Sequence, residues 1–233
     1  MSGEPATFAD AARALADHLR FQQALGIREL PLTIEPLGGP EAALRRVETA
    51  SAGCTRCKLS HGRTTIVFGS GGAAARLMII GEGPGEEEDR QGKPFVGRAG
   101  QLLTKMLESV GITRDEVYIT NIVKCRPPGN RNPEPEEIAA CAPYLAGQLA
   151  AIQPGVICAL GTFAAQYLLK TREPISRLRG QLHRLGSAVV VPMFHPAFLL
   201  RNPGPAFRRQ AYEDLKLIRR EYDRVRGRAP AGA

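Results

Sequence analysis

RLMIIGEGPG, residues 76–85, sets an apolar run of strand length directly against a glycine-rich turn, with no polar alternation along the run. A strand without a polar face must be covered on both sides, as in a parallel sheet held between helical layers. VYITN, GVICALG and AVVVPMFHP repeat the pattern downstream, and helical periodicities over 98–110, 134–151, 162–170 and 206–225 alternate with these strands. The alternation predicts a three-layer α/β/α fold around a central, mainly parallel four-stranded sheet. Residues 7–25 add an amphipathic helix with Thr7 as N-cap and Phe8, Ala11, Ala12, Leu15 and Leu19 along one face. The Pro- and Gly-rich LPLTIEPLGGP over 30–40 follows as a linker. The organisation expected is a helical extension over 1–45, a main domain over 46–228 and a short tail over 229–233.

At 233 residues the chain is long enough to bury a sizeable core. Its first twenty residues lack a basic start followed by an apolar run, and no segment approaches the ~18 apolar residues of a membrane helix. A cytosolic protein is expected, in a compartment where thiols stay reduced and a C-x-x-C such as CTRC, Cys54 to Cys57, reads as a metal or redox pair. Of the net charge of +8, residues 170–228 carry 14 Lys and Arg against 5 Asp and Glu. A basic C-terminal quarter suits a polyanion such as DNA or RNA, and equally a solvated helix face.

The unusual polar residues fall at strand exits. GEGPG follows the first strand, Asn121 ends the second, Gly161 ends the third, and His195 with Pro196 ends the fourth. Ligands of open parallel sheets bind beyond the carboxyl ends of the strands, so these groups converge on one crevice. Gly81, Gly83 and Gly85 permit close backbone approach to a ligand, although the loop is neither a P-loop nor a dinucleotide fingerprint. Phe95, between Pro94 and Val96, is placed to stack on a planar ligand, or is simply core. The Asn121 amide offers donor and acceptor together, as reading a base edge requires; the same residue type also forms turns. Beyond His195, Leu199, Leu200 and Arg201 combine an apolar wedge with a cation, followed by Arg208 and Arg209. Glu86, Glu87, Glu88 and Asp89 read as a solvated helix start.

GEGPGEEED, PFVGRAGQLL, YITNIVKCRPP and HPAFLLR, in this order, resemble the family 4 uracil-DNA glycosylases, an iron-sulfur-containing family, over about Ala50 to Arg224. The resemblance implies a monofunctional enzyme that flips uracil out of DNA and hydrolyses its N-glycosidic bond, initiating base excision repair. It implies Cys54, Cys57, Cys125 and Cys141 as ligands of a [4Fe-4S] cluster; spacing alone leaves iron and zinc open. Cys158, inside VICAL, reads as an ordinary buried cysteine. By the same resemblance Phe95 stacks on uracil, Asn121 reads O4 and N3–H, His195 holds the charge developing at O2, and backbone amides over Gly81, Glu82 and Gly83 assist. Leu199, with Leu200 beside it, is the expected wedge and Arg201 the phosphate contact.

A related family places a water-positioning Asp where this chain has Gly83, which leaves Glu82 as the nearest carboxylate. Another relative forms a covalent DNA adduct through a histidine in the loop after the second strand. Here that loop, CRPPGNRNPEPEE, has none, so turnover without trapping is expected. The partners expected are uracil-containing DNA, single- or double-stranded, met by a monomer in the cytoplasm at the nucleoid. The alternatives are a non-catalytic iron-sulfur or zinc module that binds nucleic acid, and an enzyme accepting other deaminated bases.

Overall fold

The structure, a computed structural model, describes residues 38–227. The expected helix over 7–25 and the tail beyond 228 lie outside the described residues. The first described helix, α1 (Gly39–Ser51), buries Ala43 and Leu44 in the core. It crosses the division expected at residue 45, because its apolar face belongs to the main domain.

The four apolar runs form the four parallel strands expected of them. They are β1 (Leu77–Gly81), β2 (Val117–Asn121), β3 (Val156–Leu160) and β5 (Ala188–Met193), and every residue in them is buried. A fifth strand, β4 (His183–Leu185), pairs antiparallel with β5 and gives the order β2-β1-β3-β5-β4. Sequence patterning did not expose β4, a three-residue edge strand that is only half-buried and carries no apolar run.

The helices are α2 (Glu86–Gln91), α3 (Arg98–Glu108), α4 (Pro135–Ile152), α5 (Gly161–Leu169), α6 (Ile175–Leu178), α7 (Pro196–Arg201) and α8 (Pro205–Arg226). Side chains alternate across the sheet. Met78, Ile80, Tyr118 and Ile157 face one core with Leu44, Leu145 and Leu168 from α1, α4 and α5. Leu77, Ile79, Ile119 and Cys158 face a second core with Leu103, Leu107, Leu215 and Ile218 from α3 and α8. These two cores are the interfaces of the three-layer α/β/α sandwich. Among the described residues no helix is long and apolar enough to cross a membrane.

From β1 the chain runs to β2 on one side and from β3 to β5 on the other, so the order reverses between β1 and β3. That reversal parts the loops above the carboxyl ends of these strands and opens a crevice there.

Candidate active site

A cleft of about 800 Å³ opens at this end of the sheet, lined by Glu82, Phe95, Asn121, His195 and Arg201 among others. They come from the exits of β1, β2 and β5 and the segments that follow them, which is the convergence expected. Gly81 does not line the cleft but lies buried against two residues that do: a Cβ there would lie 2.4 Å from Asn121 Oδ1 and 2.6 Å from Phe95 Cζ. Gly83 lines the wall, where a Cβ would meet Val123 Cγ2 at 2.9 Å.

Phe95 adopts a left-handed backbone conformation (φ 52°), uncommon for a bulky residue. Two features hold it there. Glu88 Oε1 accepts hydrogen bonds from the amides of Val96 and Gly97, both at 2.8 Å. Gly100 packs beneath, where a Cβ would lie 1.9 Å from the Phe95 carbonyl oxygen. The four-acid run is therefore not a uniformly solvated helix start. Asp89, 3% exposed, accepts from the amides of Thr64 and Thr65 and pins the preceding segment to α2. Only Glu86 and Glu87 face solvent, and no periodicity in a four-residue run of one charge separates brace from surface.

Asn121 ends β2 and is 1% exposed. Among the described residues, its Oδ1 is the buried side-chain polar atom without a hydrogen-bond partner. Leaving an acceptor buried and unpaired costs about 1–3 kcal/mol, so the atom is placed for a donor that arrives with a ligand.

His195 caps α7, and its Nδ1 accepts a hydrogen bond from the Ala197 amide at 3.1 Å. That bond requires a lone pair on Nδ1 and leaves the proton of the neutral ring on Nε2. Burial, with the nearby charge of Arg201 adding to it, holds the imidazole well below its ordinary range, at about 4. The neutral ring therefore persists through physiological pH as a hydrogen-bond donor. Glu82 is half-buried, and burial raises its carboxyl above the ordinary range.

On α7 the wedge assignment needs correction. Leu199 is packed into the second core at 7% exposure, whereas Leu200 is exposed at 38%. Arg201 is exposed, faces the cleft and makes no ion pair among the described residues. Most cations of α8 are already engaged: Lys216 with Glu213, Arg219 with Asp223, Arg220 and Arg224 with Glu221, and Arg226 with Glu116. The body of α8 is thus a face of ion-paired cations, while Arg208 and Arg209 at its start and Arg201 before it remain open.

Cys54, Cys57, Cys125 and Cys141 line one small cavity on the α1 and α4 side, together with Arg63, Lys124 and Tyr144. Arg63 Nη1 donates to Cys125 Sγ at 3.4 Å, and the Lys124 amide donates to Cys141 Sγ at 3.3 Å. As free thiols both are pushed up by burial, Cys141 to about 11. Among the described residues no three His, Cys, Asp or Glu side chains are grouped to hold a metal ion. Cys158 is buried in β3, as expected.

Residues 68–216 match the family model described as the uracil DNA glycosylase superfamily. Type-4 uracil-DNA glycosylases are similar over most of their lengths. That of Thermotoga maritima is 49% identical over 70% of this chain and 86% of its own. That of Archaeoglobus fulgidus is 45% identical over 71% of this chain and 86% of its own. That of Sulfurisphaera tokodaii is 42% identical over 76% and 84%. A cleft at the strand exits, built from GEGPG, Asn121 and His195 and carried on a sequence this similar, settles the kinship: the chain belongs to the uracil DNA glycosylase superfamily, in its type-4 branch.

Proposed function

We propose that the protein excises uracil from DNA by hydrolysis of the N-glycosidic bond, leaving an abasic site. The observation that carries this reading is the unpaired Asn121 Oδ1, buried at the foot of a cleft walled by Phe95 and His195. Uracil offers N3–H to that acceptor and O4 to the amide's N–H, whereas cytosine presents the opposite polarity at both positions. The wrong base leaves buried polar groups unpaired.

The target bond is inaccessible inside a duplex, so the nucleotide is extruded into the cleft at a cost of about a few kcal/mol. Leu200 fills the vacated stack, with Arg201 and Arg208 gripping phosphate. Phe95 packs on the flipped ring. The bond between sugar C1′ and uracil N1 then breaks with its electron pair going to the base, leaving positive charge on the sugar. His195 Nε2–H donates to O2 and stabilises the departing anion without transferring a proton. The Glu82 carboxylate faces the sugar cation and orients the water that adds to C1′; the proton released as the hydroxyl forms passes to that carboxylate and from it to solvent. The loop over 125–137 reaches the cleft with Asn130, Arg131 and Asn132 and carries no histidine, which favours turnover over covalent capture.

Cys54, Cys57, Cys125 and Cys141 would hold a [4Fe-4S] cluster. Four thiols on one cavity, with N–H donors aimed at two of the sulfurs, fit a group whose irons take one thiolate each, which does not require three of them gathered around a single ion. When bound it supplies a four-thiolate tie between the segment before β1, the loop after β2 and α4. The cavity lies apart from the cleft, which supports a structural role. On the same reading the protein works as a monomer in the cytoplasm, on uracil in single- or double-stranded nucleoid DNA.

The test is excision from a labelled oligonucleotide carrying one uracil, using protein purified without oxygen and alkaline cleavage of the product. Uracil-dependent scission that falls on the order of a hundredfold in Asn121→Ala supports the reading. No scission by protein with a full iron-sulfur absorbance band defeats it.

A further inference from the structure

We propose that Lys124 is the positioning residue for Asn121, holding the base-reading amide by its side chain and the thiol cavity by its backbone. The proposal rests on the reading of Asn121 as the uracil-binding residue.

Lys124 is 1% exposed. Its ammonium donates to Thr120 Oγ1, the Asn121 main-chain oxygen and Gln148 Oε1, each at 2.7 Å. None of these acceptors is a carboxylate. A buried amino group is costly unless its N–H bonds are met, so a lysine enclosed by three acceptors is not a residue whose only task is to fill space. Lys124 Nζ is placed where the sheet lacks a neighbour. β2 lies at the sheet edge, and the outward main-chain groups of Ile119 exchange hydrogen bonds with Ser70 at 2.8 and 2.9 Å. Two residues on, the carbonyl of Asn121 is met by the Lys124 ammonium instead.

The network behind the ammonium is closed. Gln148 Nε2 donates to Phe68 O and Tyr118 Oη, and the Thr120 hydroxyl donates to Phe68 O. Gln148 and Cys141 both belong to α4, and the Lys124 amide donates to Cys141 Sγ. The end of β2 is therefore anchored to the helix that carries one of the cavity thiols, while Asn121 Oδ1 stays free in the cleft.

The experiment compares wild-type holoprotein with Lys124→Met in three readouts: iron-sulfur absorbance, affinity for an abasic-site oligonucleotide, and inhibition of excision by free uracil. Lys124→Met is expected to keep the first two, to weaken inhibition by uracil roughly tenfold, and to lower kcat more than it raises KM, the loss of one charged hydrogen bond. Unchanged uracil inhibition in a variant of full absorbance overturns the proposal. If the single variant fails to fold, Lys124→Met with Gln148→Met removes the cation together with an acceptor. That variant is expected to fold and still to bind uracil poorly; wild-type inhibition, or loss of absorbance in both variants, overturns the proposal. A wild-type protein that neither excises uracil nor is inhibited by it defeats the parent reading instead.

Discussion

The rings of Phe95 and His195 lie 5.6 Å apart with an interplanar tilt of 35°, so the proposed stacking surface and the proposed anion-stabilising donor share one wall of the cleft. Phe95→Ala removes the stacking surface and an edge of the imidazole's packing together. Excision from single-stranded substrate is expected to fall roughly tenfold or more, since stacking on an aromatic is worth about 1–3 kcal/mol per base. Single-turnover rates measure the loss. Unaltered rates would remove Phe95 from the base site.

The pH dependence follows from two groups with opposite displacements. His195, held at about 4, stays neutral at any pH where the protein works, so no inflection near the ordinary 6.5 is expected in the rate profile. Glu82, raised by burial, acts as a carboxylate on the proposed mechanism, so activity is expected to fall as pH drops through its raised pKa, and Glu82→Gln to abolish this acid limb. Between about 4 and 6.5 the unfolded chain binds the proton that folded His195 refuses. Stability therefore rises with pH across that window and is lost as pH falls toward 4. Rate profiles and thermal melts of His195→Gln against wild type check both signs.

Neighbouring leucines on α7 separate two kinds of defect. Leu199→Ala opens a cavity in the core and should cost about 2–5 kcal/mol of stability, visible as a lowered Tm. Leu200→Ala should leave Tm within a degree or two and slow excision from duplex far more than from single strands, where no stack has to be filled. An equal loss on both substrates would argue against the wedge.

Cluster removal tests the four-thiol cavity. Cys125→Ser or Cys141→Ser is expected to lose iron and its visible absorbance. A tie worth about 2–4 kcal/mol, as for other cross-links, corresponds to a Tm lower by roughly 5–10 °C for a domain of this size. Cys158→Ser serves as the control and should retain iron in full.

Legibility from sequence divides along physical lines. The strands were visible because burial on both faces removes polar alternation, and Asn121 and His195 stood out as polar residues ending apolar runs. Phe95 was marked by its place between Pro94 and Val96. Lys124 was not visible, because nothing in YITNIVKC tells a buried ammonium from a surface one until Thr120, Gln148 and the Asn121 carbonyl are brought around it. Glu88 and Asp89 were hidden in a uniform acidic run for the same reason. The exchange of Leu199 for Leu200 reflects the brevity of α7: six residues are too few for periodicity to tell adjacent positions apart.

The self-paired face of α8 bears on how the protein travels. Counterion release scales with the number of phosphates that protein cations neutralise. With Lys216, Arg219, Arg220, Arg224 and Arg226 engaged by carboxylates, the C-terminal cations left to meet phosphate are those off this face, Arg201, Arg208 and Arg209 among them. Non-specific binding to DNA is therefore expected to show a salt slope shallower than the fourteen C-terminal cations would give if all of them met phosphate.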